Sequence, residues 1–481
     1  MHKPVVRALG FFNASYDLMV MNVVNIVLAE RFGDDVYNAG MKAAVSAAAL
    51  IGAAIGQLLF GVLGDMYGRR PNQIATCVLK IVGSILCTCA YAGSPSRTLW
   101  FLAIARGLLG IGVGGEYPLA ATTVAEDAQS VSERNQNVAL TFSLQGAAQV
   151  TSALLGNLLI QALANGAKGT NSHARLDLVW RLLFAFGALP AIFLLIFRTR
   201  AEETAAFVAC QKRRVAAERN GLVGHPTVLF VVKNYGVGLL GTAGTWFLFD
   251  IVFYAQNMFS ATILSVIGVT NASLQVVSTQ NAFVALMALP GYYVAVFFIN
   301  SLGRQTIQMQ GFAFMTVLFL CLATLWDDLN SNPVAFILLF GLALFFSNFG
   351  PNMSTFVMPT EMFPTPIRSS LFGISAACGK AGAAIGSFGF GLWADDDRFG
   401  YSGAFYVFSG ITLLAIPLTW FCMHDSELSI QDIDDEFFEM LNADDAFTGD
   451  DYLMGGSPFD LGTVPGIKSG AGPKPLYTSQ F

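Results

Sequence analysis

Twelve long apolar stretches constrain the fold of this chain more than any other feature of its sequence. Each is close to the roughly 20 residues that an α-helix needs to cross the hydrocarbon core of a bilayer. Lipid offers no hydrogen-bond partner to an open backbone, so each stretch must be helical. The sequence therefore predicts an all-α polytopic membrane protein with twelve transmembrane helices. Their expected limits are residues 8–29, 43–63, 73–93, 99–122, 137–163, 179–198, 232–258, 278–300, 306–326, 333–356, 369–393 and 402–423.

Composition excludes the main alternatives to a helical membrane protein. Charged residues make up 12% of the 481 residues and hydrophobic residues 54%, whereas about 25% of a soluble domain is charged. The apolar stretches are continuous rather than alternating in short pieces, which excludes a transmembrane β-barrel. No basic cluster of the kind that binds nucleic acid is present. The 7 Cys and 4 His residues are scattered along the chain, so we expect neither a metal site nor a cofactor.

A polar interruption at residues 199–225 divides the chain into two sets of six spans. It predicts an N-terminal six-helix bundle at 1–198, a linker at 199–231 and a C-terminal six-helix bundle at 232–423. Loops on the linker side hold fourteen Lys and Arg residues, and loops on the other side hold seven. Because Lys and Arg mark the cytoplasmic side of a membrane protein, we expect the linker and both termini in the cytoplasm.

The net charge of −6 arises in the last segment, residues 424–481, where acidic residues far outnumber Lys. We expect this segment to be a solvated and largely disordered cytoplasmic tail, with disorder beyond Asp444. One short amphipathic helix is predicted near its start, since five apolar residues share one helical face. These residues are Ile430, Ile433, Phe437, Phe438 and Leu441.

The two halves of the chain repeat one another in their polar residues. The matching positions are Gly68-Arg69 with Gly303-Arg304, Glu126 with Glu361, and Asp17 with Asp250. Two like six-helix halves predict a transporter that holds its substrate between them near the midplane and rocks about it. Ionisable residues at membrane depth are costly to bury, so Asp17 and Asp250 are functional candidates.

Four segments carry a family resemblance. Residues 61–70, Gly-Val-Leu-Gly-Asp-Met-Tyr-Gly-Arg-Arg, resemble the loop between helices two and three of the major facilitator superfamily. Residues 110–126, 241–254 and 349–380 resemble its phosphate:proton symporter branch. The resemblance covers residues 8 to 425. It implies a fold of two six-helix halves, no enzymatic activity, and import of inorganic phosphate coupled to protons by rocking of the two halves.

The resemblance also implies roles for individual positions, which fall into three groups. The residues expected to line the substrate site are Tyr117, Gln145, Trp246, Asp250, Tyr254, Asn352 and Lys380. The residues expected to serve proton coupling are Asp17, Glu116 and Asp250. The residues expected to gate one face are Asp65, Arg69, Arg70, Glu126, Arg134, Glu361 and Arg368.

Departures from the branch leave alternatives open. The branch typically has Asp where Glu116 stands, and often a carboxylate in helix three, where this chain offers Lys80. A phosphate ester such as a glycerophosphodiester is therefore an alternative substrate. A phosphate-sensing receptor with little flux is an alternative of another class. Arg106, inside the fourth span, fits either a structural ion pair or a coupling role.

The expected site residues suit an anion, because they are mostly hydrogen-bond donors around one cation. Asp250 is the exception, since a charged carboxylate repels phosphate and a protonated one donates to it. Phosphate and proton binding should therefore strengthen each other. Moving one negative charge inward against the membrane potential costs about 2.3 kcal/mol per 100 mV, so protons must accompany phosphate. We expect a functional monomer in the plasma membrane, with phosphate, protons and lipid as its partners.

Overall fold

The computed structural model describes residues 3–164, 170–219, 225–266, 273–394 and 399–453, and the regular elements within these ranges are helices. Seven helices supply the six spans of the N-terminal half, because the first span is interrupted at Val20. They are α1 (Lys3–Met19), α2 (Met21–Phe32), α3 (Ala39–Tyr67), α4 (Arg69–Thr88), α5 (Pro95–Glu126), α6 (Val131–Leu159, extended by a π-helical turn at Ile160–Ala164) and α7 (Thr170–Arg198).

The linker and the C-terminal half follow the same pattern. The tenth span is broken at Gly350, since Pro351 has no N–H with which to continue the preceding helix. The linker contains α8 (Ala205–Arg219), and the tail contains α17 (Ile430–Leu453). Between them lie α9 (Val228–Val266), α10 (Leu274–Phe298), α11 (Arg304–Thr324), α12 (Trp326–Asn330), α13 (Pro333–Asn348), α14 (Pro351–Met362), α15 (Thr365–Ala394) and α16 (Gly400–Cys422).

Within the described ranges, eleven segments are long and apolar enough to cross a membrane. The remaining predicted span, residues 73–93, falls on α4, a helix of 20 residues. Its hydropathy is lower because one face carries polar side chains that the neighbouring helices bury. Those side chains are Arg69, Asn72, Gln73, Thr76, Lys80 and Ser84. The polar face of α4 therefore belongs to the protein interior rather than to lipid.

The two halves approach each other closely along α3 and α15. A Cβ added to Gly61 would lie 2.8 Å from the Ser369 carbonyl oxygen and 3.2 Å from the Gly373 Cα. No larger residue fits here without moving the backbone. Small residues of this kind allow helices to pack backbone to backbone in a membrane.

The repeat between the halves is visible in two turns at one end of the bundle, which we call the linker face. Gly68, with φ of 97°, starts α4, and Gly303, with φ of 83°, starts α11. This region of φ is unstrained only for glycine. Glu203 accepts from the Arg70 N–H just after the first turn, and Asp425 accepts from the Arg304 N–H after the second. Both carboxylates thus cap equivalent helices.

The start of the tail lies against the linker face rather than in solvent. The predicted amphipathic helix is present, and its apolar residues Ile433, Phe437 and Leu441 are buried. Phe437 and Leu441 belong to a cluster with Phe230 and Phe363 of the C-terminal half. The expectation of a solvated segment is wrong here because this apolar face finds a partner surface. Helix α17 continues to Leu453, past the Asp444 at which we expected disorder, and residues 454–481 lie outside the described ranges.

Candidate functional site

An ion pair between Lys380 and Asp250 lies at the centre of the interface between the halves. The Lys380 Nζ is 2.9 Å from the Asp250 Oδ2, and both side chains are buried. Lys380 is placed by α15 and Asp250 by α9. A buried ion pair is stable only when each charge keeps its partner or gains another of the same sign. An anion entering this site therefore competes with Asp250 for Lys380.

Three of the aromatic residues expected at the substrate site lie close to this ion pair. The Lys380 Nζ lies 4.9 Å from the Tyr117 ring centroid and 4.4 Å from that of Tyr254. Trp246 packs against Gly379, where an added Cβ would lie 2.5 Å from the indole Cδ1. The Tyr254 hydroxyl has no hydrogen-bond partner among the described residues. The cation thus sits between aromatic faces, and at least one hydroxyl is free for a ligand.

The two amide residues join the site through a hydrogen-bond chain. The Tyr117 hydroxyl donates to the Gln145 Oε1 at 3.4 Å. The Gln145 Nε2 and the Asn352 Nδ2 both donate to the Tyr292 hydroxyl, at 3.2 and 2.9 Å. Asn352 also donates to Asn348 at 2.7 Å. The structure therefore brings together all seven residues expected at the substrate site and adds Tyr292.

Tyr292 is a residue that the sequence did not single out. It follows Pro290-Gly291 in an apolar span and precedes Tyr293. Tyr292 is fully buried, whereas Tyr293 is 44% exposed on the outer surface of the bundle. The fully buried Tyr292 ring packs on Gly146 of the other half. In the sequence, only its helical spacing from the other polar residues of the C-terminal half could have indicated that Tyr292 faces the site.

A cluster of aromatic side chains packs against the site. Phe11 packs against the Tyr117 ring, with centroids 4.9 Å apart, and Phe142 packs against Phe356, with centroids 4.6 Å apart. None of the seven expected site residues is more than 4% exposed. The structure is therefore an occluded state, in which the site is sealed from both faces.

Glu116, expected to serve proton coupling, is held by two cations of the N-terminal half. Its Oε2 lies 3.1 Å from the Lys80 Nζ and 2.9 Å from the Arg198 Nη1, and Arg198 forms a second bond with the other oxygen. Helices α4, α5 and α7 supply these three side chains. The departure at position 80 is thus explained, because Lys80 is a counter-ion of Glu116.

Asp17 differs sharply from Glu116. No described residue forms an ion pair with Asp17, and its carboxylate accepts a hydrogen bond from the Asn13 Nδ2 at 3.5 Å. An added Cβ at Gly187 would lie 2.1 Å from the Asp17 Oδ1, so the carboxylate touches α7 backbone. Arg106 donates to the Val45 carbonyl, and its two terminal nitrogens have no partner among the described residues. A structural ion pair is therefore not formed by Arg106 in this state.

The expected gating residues meet at the linker face. Arg69 pairs with Asp65 at 3.1 Å and with Glu126 at 2.6 Å, and Glu126 also contacts Arg368 of the other half at 3.4 Å. Asp65 further accepts from the Ser370 N–H at 2.7 Å, at the start of α15. This network therefore joins the two halves at the linker face.

A second ionic cluster repeats this arrangement. Glu361 is shared by Arg134 of the first half at 3.2 Å and by Arg304 of the second at 2.7 Å. Arg134 also donates to the Ser426 carbonyl of the tail. Arg304 was matched to Arg69 by the repeat but was not expected at the gate. Arg70 is exposed and donates to the Thr199 carbonyl of the linker, outside the buried network.

Uncharged residues join the halves at the opposite face. Asn22 donates to Ser260 at 2.7 Å and to Asn281 at 3.0 Å. Gln149 donates to Asn257 at 2.5 Å. The described residues include no group of His, Cys, Asp and Glu that could hold a metal ion. The contacts between the halves therefore differ in chemistry, being ionic at the linker face and built from amides and hydroxyls at the opposite face.

Comparison with known proteins agrees with this architecture. The model for the sugar (and other) transporter family matches residues 4–222 and 243–437. The chain belongs to this transporter family. It is also 34% identical, over 488 residues, to probable inorganic phosphate transporter 1-6 of Arabidopsis thaliana, covering 90% of this chain and 93% of that one. Low affinity inorganic phosphate transporter 1 of Petunia hybrida is 35% identical over 436 residues, 80% of this chain and 81% of that one. The expected phosphate-transporter branch is confirmed.

Solved structures show the same fold. The proton:xylose symporter XylE of the major facilitator superfamily, bound to 6-bromo-6-deoxy-D-glucose, has a TM-score of 0.73 at 19% identity, covering 90% of this chain and 97% of that one. An inward open conformation of XylE from E. coli matches with a TM-score of 0.64, and the match covers 98% of that XylE chain. The predicted twelve-helix fold of two halves is confirmed. The chain is a membrane transporter of several spans and not an enzyme.

Proposed function

We propose that the protein imports inorganic phosphate together with protons by alternating exposure of the central site. The observation that carries this proposal is the Lys380–Asp250 pair enclosed by aromatic and amide side chains from both halves. One cation among side chains that can donate hydrogen bonds matches a small oxyanion. The names of the curated relatives support the same substrate.

The first step of the mechanism concerns Asp250. In the occluded state Asp250 neutralises Lys380. Protonation of Asp250 removes its charge, frees Lys380 for phosphate and turns the carboxyl into a donor for a phosphate oxygen. Phosphate in turn favours the protonated acid, because two anions at this distance repel each other. Each ligand therefore raises the affinity for the other, which is the linkage that symport requires.

The second step concerns a further proton. Import of a divalent phosphate with only one proton would still move negative charge inward, at about 2.3 kcal/mol per 100 mV. Asp17 supplies the additional site in this proposal, because it can take a proton without breaking an ion pair. Glu116 was the other candidate, and its two cations make it a poorer carrier than Asp17 in this state.

The membrane and the orientation are parts of the same proposal. We place the linker face in the cytoplasm and the protein in the plasma membrane, following the excess of Lys and Arg on that side. A tag at residue 481 should then resist protease in intact cells and become sensitive after permeabilisation. Cleavage in intact cells would reverse the orientation.

The decisive experiment is uptake of radiolabelled phosphate into liposomes that contain the purified protein. A proton gradient, acidic outside, should produce accumulation that collapses with a protonophore. Liposomes without protein and liposomes without a gradient are the controls. Stronger competition by a glycerophosphodiester than by phosphate would identify the ester as the substrate. Tight phosphate binding with no uptake under any gradient would favour a receptor.

A further inference from the structure

The hydroxyl of Tyr292 occupies an unusual position between the halves. It accepts one N–H from Gln145 of the N-terminal half and one from Asn352 of the C-terminal half. A phenol has two acceptor sites and a single hydrogen. Both acceptor sites are therefore used, and no described residue accepts the remaining hydrogen. Tyr292 is fully buried, so its hydrogen cannot be directed to bulk water.

A buried donor without an acceptor is costly unless a ligand supplies one. The same condition holds for Tyr254, whose hydroxyl also has no partner among the described residues. Gln145 connects Tyr292 to Tyr117, and the Tyr117 ring lies beside the Lys380 ammonium. The unused hydrogen thus belongs to the chain of groups around the cation.

The geometry points to Tyr292 as an eighth substrate-site residue, which donates its hydroxyl hydrogen to an oxygen of the bound anion. Two N–H groups that point at the phenol oxygen draw electrons from its O–H bond and make it a stronger donor to an anion. The same two bonds hold one amide from each half. Tyr292 therefore binds the anion, and its hydroxyl is fully hydrogen-bonded only when both halves are closed around the site.

This inference rests on the proposed function and gives it a specificity element. Phosphate presents four oxygens, whereas methylphosphonate presents three oxygens and a methyl group. A site with one donor aimed at each oxygen leaves a donor unpaired against the methyl group. Specific donors of this kind discriminate strongly against an analogue that lacks the matching group. Removal of the Tyr292 hydroxyl should therefore relax the preference for phosphate over methylphosphonate.

The test uses the full-length protein in lipid nanodiscs and compares wild type, Tyr292→Phe and Tyr293→Phe. Phenylalanine keeps the ring that packs on Gly146, and Tyr293 is a neighbouring control because it lies 44% exposed on the outer surface. Binding of radiolabelled phosphate and its displacement by methylphosphonate are measured for each protein, and monodispersity is checked by gel filtration.

Tyr292→Phe should weaken phosphate binding by about 10-fold to 100-fold, the range for one lost hydrogen bond to a charged group. Its preference for phosphate over methylphosphonate should fall by about 10-fold. Tyr293→Phe should match wild type.

Equal weakening for both ligands would show a packing role for Tyr292 and overturn the inference. So would unchanged phosphate binding in Tyr292→Phe. If wild type itself binds no phosphate, the proposed function fails, and this inference fails with it. The wild-type measurement therefore distinguishes the two failures.

Discussion

The two halves of the protein bury their central charges in different ways. In the C-terminal half one carboxylate, Asp250, pairs with one cation, Lys380. In the N-terminal half Lys80 and Arg198 both pair with Glu116, while Asp17 forms no ion pair with a described residue. The C-terminal half thus carries a single ion pair. The N-terminal half carries a carboxylate bound by two cations and a separate carboxylate that has no ion pair with a described residue.

This difference gives the two halves different chemical properties. A single pair surrounded by donors can exchange its carboxylate for a phosphate, because the cation stays compensated throughout. A carboxylate with two cations has no such freedom, since its protonation would leave two buried positive charges. Asp17 can be protonated at lower cost. We infer that the C-terminal half binds the anion and that the N-terminal half carries an additional proton.

The largest effect should come from Lys380→Ala, which removes the cation of the central site. We expect phosphate binding to fall by at least about 100-fold, because a close charge contact with a buried anion is lost. Isothermal titration calorimetry with phosphate measures this directly. Binding that survives within about threefold would make Lys380 structural and move the site elsewhere.

A matched control for this variant is Lys80→Ala. Lys80 is also a buried lysine in a membrane span, but it faces Glu116, which keeps its contact with Arg198. If the C-terminal half alone binds the anion, Lys80→Ala should retain phosphate binding near the wild-type value. A similar loss in both variants would show that any buried lysine is needed for folding.

Asp250→Asn should produce the next largest effect. The amide keeps a donor and imitates the protonated acid, and Lys380 loses its internal competitor. We expect phosphate binding to persist with a weak pH dependence between pH 5 and 8, whereas gradient-driven accumulation is lost. Affinity measured across this range, with uptake in liposomes, tests both parts. A wild-type pH dependence in this variant would exclude Asp250 as the coupled group.

Asp17→Asn should affect accumulation alone. Binding of phosphate, including its pH dependence, should stay within about threefold of wild type, because Asp250 and Lys380 are intact. Accumulation under a proton gradient should fall to the level of passive equilibration. If this variant still concentrates phosphate as wild type does, Asp17 carries no proton and the two halves do not divide the work.

Much of the site was predictable because its residues are polar groups inside apolar spans. Lys380, Asp250 and Asn352 stand out for this reason, and the motifs in their helices add their roles. Tyr292 did not stand out, because tyrosine is common on lipid-facing surfaces, as Tyr293 shows. Which of two adjacent tyrosines faces inward depends on helix rotation, and the sequence determines that only through packing with other helices.

The partners of charged groups were less predictable than the groups themselves. Glu116 was identified, but Arg198 lies 82 residues away in the chain, and no local spacing connects them. The tail was misjudged for a related reason. Its acidic composition indicated solvent, whereas the surface that covers Phe437 is assembled from distant segments around Phe230 and Phe363. Which distant residues contact one another depends on the tertiary structure. The internal repeat predicts such a contact only where both halves contain it.

The smallest effect should come from Glu116→Asp, and it tests whether the N-terminal cluster is fixed. Aspartate keeps the negative charge between Lys80 and Arg198, so the cluster remains balanced and only the reach of the side chain changes. We expect proton-driven accumulation within about threefold of wild type and an unchanged pH profile of uptake.

Glu116→Gln is the informative companion, because it leaves two buried cations without a carboxylate. Breaking a buried ion pair in this way destabilises a protein by about 3–5 kcal/mol. That variant should lose thermal stability, measured as a lower Tm, while the protein that remains folded keeps the wild-type pH profile. A shifted profile in either variant would show that Glu116 exchanges protons during transport, and the separation between the halves would then be incomplete.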